Sequence, residues 1–246
     1  MTWEPRTYRR LVEPAGLATF EVVHAETDLQ ISARRDLSAE ASAIVAAIRD
    51  ELERYVAAHP HFAESYVPVD VEDDAPAIVR AMTAAARLAA VGPMAAVAGA
   101  VAEAVARGLE PHSAEVIVEN GGDLYLMGAQ SRTVLLQAGD SPLSGRVAIE
   151  LAADRLPLAV CTSSGKVGHS TSLGVAHALT VLAEDGALAD AVATAAANVV
   201  HGTDDITEAL ETALGVPGVR GAVAIVEDRI GALGEVALAP VDGDAR

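Results

Sequence analysis

Apolar positions recur with two different periods in the first third of the chain. Between residues 17 and 34 they fall at nearly every second position around a polar centre at 26–28, which predicts a β-hairpin. From 37 to 58 they follow helical spacing, with Ser38 as the expected N-cap. Two Ala-rich helices are predicted next, at 77–90 and 93–107, the second starting on a proline.

The centre of the chain consists of short apolar runs separated by Gly, Ser, Asp and Pro. These runs predict strands, and two more helices and a final hairpin follow them. Because strands group with strands and helices with helices, we expect an α+β fold, with a mainly antiparallel sheet backed by Ala-rich helices. No linker divides the sequence, so a single domain is expected, with 1–16 and 240–246 peripheral. The predicted strands are 114–119, 123–128, 133–139, 146–151, 156–161 and 177–184, the helices 187–200 and 205–214, and the hairpin 219–239.

Composition narrows the classes of partner. The net charge of −18 repels phosphate backbones and anionic lipid headgroups, so neither nucleic acid nor a membrane is an expected partner. Cys161 is the only cysteine, which excludes an intrachain disulfide and fits a reducing compartment. With no export signal and no apolar run long enough to span a bilayer, a cytoplasmic location is expected. The Ala-rich helix faces suggest a homo-oligomer.

The first candidate site joins two apolar strands, at Gly121, Gly122 and Asp123. A tight hairpin turn explains the Asn-Gly pair that begins it. Paired glycines followed by Asp also let a ligand approach backbone N–H groups closely. A turn and a ligand-binding loop both remain open.

The second candidate site is the loop expected at 161–170. Its hydroxyls, amides, ammonium and imidazole suit a pyrophosphate, although an ordinary surface loop is the alternative. Val160 and Val167 occupy positions where a Walker loop requires Gly and a hydroxyl, which excludes a P-loop. Cys161 could instead be a thiol nucleophile for sulfur or acyl transfer, with its pKa lowered by a helix N-terminus or by Lys166 and His169.

The third candidate site lies on the helix expected at 187–200. Asp190, Thr194 and Asn198 recur every four residues in an otherwise apolar segment, which stacks hard oxygen donors suited to Mg²⁺ on one face. A solvated polar stripe is the alternative reading. The absence of Lys and Glu from this face favours the metal.

Taken in order, these segments resemble the ApbE superfamily, in a cytoplasmic branch separate from the established flavin transferases. The resemblance implies a T-fold-like arrangement, and a pocket for a nucleotide-like ligand such as FAD or FMN together with Mg²⁺. It also implies FMN transfer to a threonine of an acceptor protein. The resemblance covers about 28–200, in the blocks DLQISA, FAESYVP, APAIVRAM, GPMAAVAGAVAE, VENGGDLYL, CTSSGKVGHS and LADAVATAAAN.

The resemblance also implies roles for individual residues. Asp190 and Thr194 match the metal-binding Asp and Thr of the transferases, and His169 would accept a proton from an attacking hydroxyl. Cofactor contacts would come from Gly121, Gly122, Asp123, Thr162, Ser163, Ser164, Gly165 and Glu103.

Departures in the central helix and in the His loop separate this sequence from the transferases. Ala98 stands where they carry Lys, and Glu103 where they carry Asp. Their later His loop is shortened here to 168–174 and has no proline. Three functions therefore remain open: a flavin-nucleotide enzyme, a thiol-based transferase and a non-catalytic binding module.

Overall fold

A computed structural model describes residue 14, residues 16–165 and residues 174–241. The first half contains β1 (Ala18–His24), β2 (Thr27–Ala33), α1 (Ser38–Ala58), α2 (Pro60–Glu64), α3 (Ala77–Ala89), α4 (Val97–Leu109), β3 (Val116–Asn120) and β4 (Asp123–Met127). The second half contains β5 (Arg132–Leu135), β6 (Val147–Leu151), β7 (Leu158–Ser163), β8 (Ala178–Ala183), α5 (Gly186–Asn198), α6 (Ile206–Leu214), β9 (Val219–Val226), β10 (Arg229–Gly234) and β11 (Leu238–Pro240).

Eight strands form the main sheet, in the order β1-β2-β3-β4-β7-β8-β9-β10, and every neighbouring pair is antiparallel. The helices pack on one face of this sheet. A second sheet, β11-β6-β5, covers part of the other face through a smaller apolar cluster. The expected α+β architecture is confirmed. Period-2 alternation did not separate the three strands of the small sheet from those of the main sheet.

The main sheet has the same order of elements in each half. A hairpin, a helical segment and a second hairpin occur first as β1 to β4 and then as β7 to β10, and the halves join where β4 pairs with β7. Each helical segment therefore lies over the four strands that flank it in sequence.

The helical layer is built largely from alanine. Six of the ten buried residues of α5 are Ala. This lets α4 and α5 approach until their backbones touch at Gly99 and Gly186, where a Cβ on either glycine would overlap the carbonyl oxygen of the other. The low aromatic content of the sequence is thus matched by close helix packing.

Two local expectations were wrong at element boundaries. Ser38 is the first helical residue of α1 and not its N-cap; Leu37 precedes it, and Asp36 Oδ1 accepts the Ser38 N–H at 2.8 Å. The loop expected from Cys161 onward begins later, because β7 continues through Ser163.

Among the described residues no single helix is long and apolar enough to cross a membrane. The helical pair Ala77–Ala89 and Pro93–Leu109, bent by 105°, reaches the required length and composition only when its two parts are taken together.

Replacing Gly99 with alanine should destabilise the protein, because the new methyl would meet the Gly186 carbonyl and the Asp190 Cβ. Overpacking of this kind costs about 1–3 kcal/mol. Chemical denaturation of Gly99→Ala measures the loss. Gly202→Ala is the control, since a Cβ there meets nothing within 4 Å and the backbone is extended. Equal stability of the two variants would contradict the close packing of α4 and α5.

Candidate functional site

The Gly-Gly-Asp segment forms the two-residue turn between β3 and β4. Gly121 and Gly122 both have positive φ, 68° and 110°, which only glycine adopts readily. Asn120 pairs with Asp123 across the turn, and the Glu119 carboxylate accepts the Gly122 N–H at 3.0 Å. The hairpin interpretation is confirmed, and the turn delivers Asp123 to the helix side of the sheet.

Asp123 is a buried carboxylate held by the neighbouring strand. Its Oδ1 accepts the Thr162 N–H at 3.0 Å, and the side chain is 7% exposed. Burial raises the pKa of Asp123 to about 7, and the Glu119 charge adds to this increase, while hydrogen bonds from the Thr162 amide and the Cys161 thiol oppose it. Asp123 therefore changes charge near neutral pH.

Asp190 lies on α5 but caps α4. Its Oδ2 accepts the Gly99 N–H at 2.9 Å, and the Ala98 N–H also bonds to the carboxylate. The residue that precedes α4, Ala96, has no side-chain acceptor of its own, so Asp190 supplies the cap from another helix. Burial, followed by the charge of Asp123, raises the pKa of Asp190 well above its usual range. The two carboxylates are thus close enough to repel each other.

The polar face of α5 is directed into the protein. Thr194 follows Asp190 by one turn and is only 9% exposed, and Asn198 is partly buried. The alternative interpretation, a stripe of polar side chains exposed to solvent, therefore does not describe this face. Thr194 is buried and Asp190 is partly exposed, so the two place a carboxylate and a hydroxyl one turn apart on the inward side of one helix.

The residues of β7 alternate between the two faces of the sheet. The Thr162 hydroxyl bonds to Thr180 at 2.9 Å on the face that packs against the small sheet, so its side chain points away from Asp190. Cys161 and Ser163 point toward the helices. Ser163 is 4% exposed, and among the described residues its Oγ has no hydrogen-bond partner. A buried hydroxyl of this kind can still donate one hydrogen bond and accept others.

The placement of Ser163 follows from its neighbours. Cys161 Sγ contacts the Gly186 carbonyl, at the start of α5, at 3.7 Å. Gly165 packs on the Gly174 backbone, which packs in turn on Ala197 near the end of α5. Ser163 therefore lies beside the middle of α5, the part of the helix that carries Asp190 and Thr194.

The residues that follow β7, Ser164 and Gly165, bond to the segment before β8 and not to Asp123 or Asp190. The Ser164 hydroxyl and the Gly165 N–H both bond to the Ala176 carbonyl, at 3.4 and 3.0 Å. Lys166 and His169 lie outside the described residues. The expected role of His169 stays a prediction from the sequence.

The expectation that Cys161 has a lowered pKa was wrong. Its side chain is fully buried, and burial, followed by the charges of Asp123 and Asp190, raises the pKa of the thiol well above its usual range. The neutral thiol lies beside both the Gly186 carbonyl and the Asp123 carboxylate, and its single hydrogen can bond to either. These surroundings disfavour the thiolate that nucleophilic catalysis requires.

Glu103 is occupied by protein contacts. Its Oε2 accepts the Gly186 N–H at 2.6 Å and its Oε1 accepts Arg107 Nε at 2.7 Å. Arg107 also donates to the Tyr125 hydroxyl at 2.7 Å. Sequence reasoning did not single out Arg107 or Tyr125, although the four-residue spacing of Glu103 and Arg107 is a recognisable helical ion-pair signal.

A cation site here would use few protein ligands. In the described part of the chain, no three His, Cys, Asp or Glu side chains are grouped as metal ligands. Mg²⁺ commonly binds through one or two carboxylates, with water and substrate phosphate completing its shell. Asp190 and Thr194 fit such a site, in which the protein supplies only a few of the ligands.

A cavity of about 300 Å³ lies elsewhere, between the main sheet and the small sheet. Its arginines are paired, Arg155 with Glu235 and Arg220 with Glu184. None of the candidate site residues lines it. The chemistry is concentrated at the carboxylates on the opposite face of the sheet.

The family model described as "AbpE bacteria" matches residues 9–232, so the chain belongs to this family. A UPF0280 protein of Methanocaldococcus jannaschii is 44% identical over 202 residues, which cover 80% of this chain and 82% of that protein. A UPF0280 protein of Methanopyrus kandleri is also 44% identical, over 88% of this chain and 90% of its own length.

Two solved structures resemble the fold. The apo form of the Pseudomonas stutzeri flavinyl transferase ApbE gives a TM-score of 0.62 at 15% identity, and covers 89% of this chain and 94% of that one. The flavin transferase ApbE of Vibrio cholerae gives 0.59 at 13% identity, with coverages of 90% and 97%. At these identities the likeness establishes an ApbE-like fold.

Without divalent cations, the contribution of Asp123 to the stability of the protein should fall as pH rises from about 4 to 8. The raised pKa of Asp123 favours its neutral form in the folded state, so its contribution is complete below its ordinary pKa of 3.8 and is lost as pH passes about 7. In Asp123→Asn the Tm should vary less over this range, because one titration is removed and the repulsion on Asp190 is relieved. Thermal melts in EDTA test this, with the exposed Asp73→Asn as control. Parallel pH profiles for Asp123→Asn and the unmodified protein would contradict it.

Cys161 should resist alkylation in the folded protein at pH 8, because the thiol is buried and its pKa is raised. Mass spectrometry after iodoacetamide treatment should show a slow reaction that becomes fast in denaturant. Rapid labelling of the native protein near neutral pH would restore the thiol-transferase interpretation.

Proposed function

We propose that this protein binds a flavin nucleotide, or a similar pyrophosphate ligand, together with Mg²⁺ held by Asp190 and Thr194. The observation that carries this proposal is the pair of carboxylates Asp123 and Asp190: burial raises the pKa of both, and the charge of Asp123 adds to the increase at Asp190. A divalent cation would offset this cost and favour the charged carboxylates.

The donor set fits Mg²⁺ in both chemistry and number. The Gly99 and Ala98 amides bond to the Asp190 carboxylate, whose oxygens have enough lone pairs to accept a cation as well. The Thr194 hydroxyl is a second hard donor from the same helix face. The bound ion would supply positive charge that neutralises a pyrophosphate.

The polypeptide itself would orient and enclose the ligand. Ser163 contributes a buried hydroxyl beside α5 that can donate to a phosphate oxygen. Asp123 is fixed by the Thr162 amide and sets the negative potential of the site. The amides at the start of α4 are taken by Asp190, so they are not the phosphate cradle.

Two comparisons support the flavin part of the proposal. The chain belongs to the AbpE family, and its fold matches that of proteins described as flavin transferases. By extension, the reaction would be FMN transfer to an acceptor protein in the cytoplasm, with His169 as the proton acceptor. This extension depends on residues 166–173, which lie outside the described part of the chain.

A non-catalytic binding module is the second candidate function. It is favoured by Glu103, which is bonded to the Gly186 amide and to Arg107 and does not present a free carboxylate to a ligand. Both candidates require ligand binding. Transfer of FMN in the presence of an acceptor protein distinguishes the enzyme from the module.

Flavin fluorescence polarisation with FAD, with and without Mg²⁺, tests the common requirement. Binding should strengthen with Mg²⁺, and Asp190→Asn should weaken the Mg²⁺-dependent part. Loss of a ligating charge is expected to cost at least the roughly 10–100-fold seen when outer-shell partners are removed. The difference should vanish without the metal.

The control for this experiment is the exposed Asp70→Asn, which changes charge by the same amount. Circular dichroism verifies that each variant is folded. If FAD does not bind to the unmodified protein with or without Mg²⁺, the proposal fails. If Asp190→Asn binds FAD and Mg²⁺ normally, Asp190 is a helix cap and not a metal ligand.

A further inference from the structure

Helices α4 and α5 carry the same short sequence. Residues 99–106 read GAVAEAVA and residues 186–193 read GALADAVA, which differ only at Val101/Leu188 and Glu103/Asp190. Each copy lies at the start of its helix, between the two hairpins of its half of the main sheet. The similarity in sequence thus coincides with the repeated order of elements in the fold.

The two copies contact each other reciprocally. A Cβ on Gly99 would lie 2.8 Å from the Asp190 Cβ, and a Cβ on Gly186 would lie 3.1 Å from the Glu103 Cβ. Asp190 accepts the Gly99 N–H at 2.9 Å, and Glu103 accepts the Gly186 N–H at 2.6 Å. Each helix therefore receives at its N-terminus the acid of the other, as in a pair related by a two-fold axis.

The copies differ one turn beyond the acid. On α5 this position is Thr194, a neutral hydroxyl, whereas on α4 it is Arg107, whose guanidinium bonds to Glu103 at 2.7 Å. The same guanidinium donates to the Tyr125 hydroxyl at 2.7 Å, and that hydroxyl donates to the Glu184 carbonyl, just before α5, at 3.3 Å. The α4 copy thus contains its own cation, tied to the strand and loop that surround the site.

We propose that Glu103 and Arg107 are positioning residues for the metal site at Asp190 and Thr194. Arg107 fixes the Glu103 carboxylate, and Glu103 fixes the first amide of α5. The start of α5 then stays against α4 with Asp190 at the Gly99 amide. In the α4 copy the Arg107 guanidinium supplies the positive charge that Mg²⁺ would supply in the α5 copy. This inference rests on the proposed function, because it assigns the supporting residues of the same site.

The charge-preserving variant Arg107→Lys separates position from electrostatics. An ammonium cannot bridge Glu103 and Tyr125 with a rigid fork, yet it leaves the net charge unchanged. Titration calorimetry of the full chain with magnesium chloride alone should show a weaker Kd, by about the 10-fold that marks the loss of an outer-shell partner. Glu103→Gln should weaken Mg²⁺ binding as well, because the neutral amide holds the Gly186 N–H and Arg107 less firmly than the carboxylate does.

The matched control is Arg49→Lys, since Arg49 on α1 also bridges two carboxylates, Glu26 in the β1–β2 turn and Glu53 on α1. Its Mg²⁺ affinity should equal that of the unmodified protein. A lower Tm with unchanged Mg²⁺ affinity in both Arg107→Lys and Glu103→Gln would show a purely structural role and overturn the inference. If the unmodified protein binds no Mg²⁺, the metal site itself fails. Equal Mg²⁺ affinity in all variants would overturn the positioning role of Glu103 and Arg107 and would leave the proposed metal site at Asp190 and Thr194 standing.

Discussion

The backbone contact between Gly99 and Gly186 is the constraint on which the rest of the site depends. Because neither residue has a side chain, α4 and α5 approach closely enough for the acid of one helix to cap the other. Capping satisfies amides that would otherwise be left without partners at both helix starts. The same contact places Asp190 within the electrostatic range of Asp123, which comes from the sheet. Helix packing, helix capping and the charge of the site therefore all depend on the contact between Gly99 and Gly186.

Much of this arrangement could be predicted from local patterns. Period-2 and helical spacing located the hairpins and Ala-rich helices because burial on one face requires those periods. The turn at Gly121 and Gly122 could be predicted because glycine adopts the positive φ angles that a tight hairpin turn requires. The spacing of Asp190 and Thr194 put them on one face, and the lack of Lys and Glu correctly indicated that this face is not solvated.

What could not be predicted lies in contacts between distant parts of the chain. The partner of Glu103 is an amide 83 residues away, and that of Asp190 is 91 residues away. Cys161, Lys166 and His169 are close in sequence, but a strand buries the Cys161 side chain among carboxylates, which reverses the expected direction of its pKa shift. Alternation along β7 likewise turns Thr162 and Ser163 to opposite faces, which a loop interpretation did not anticipate.

The alanine content of the helical layer affects how the protein can change over time. Alanine has no side-chain torsion to freeze on folding, so ordering this layer costs little side-chain entropy. It also has no alternative rotamer with which to absorb an added methyl group or fill a vacated volume. Changes in this layer are therefore expected to persist in compensated pairs, one side chain enlarging as its neighbour shrinks, while the opposite face of the sheet, lined by Leu, Ile and Val, can drift by repacking.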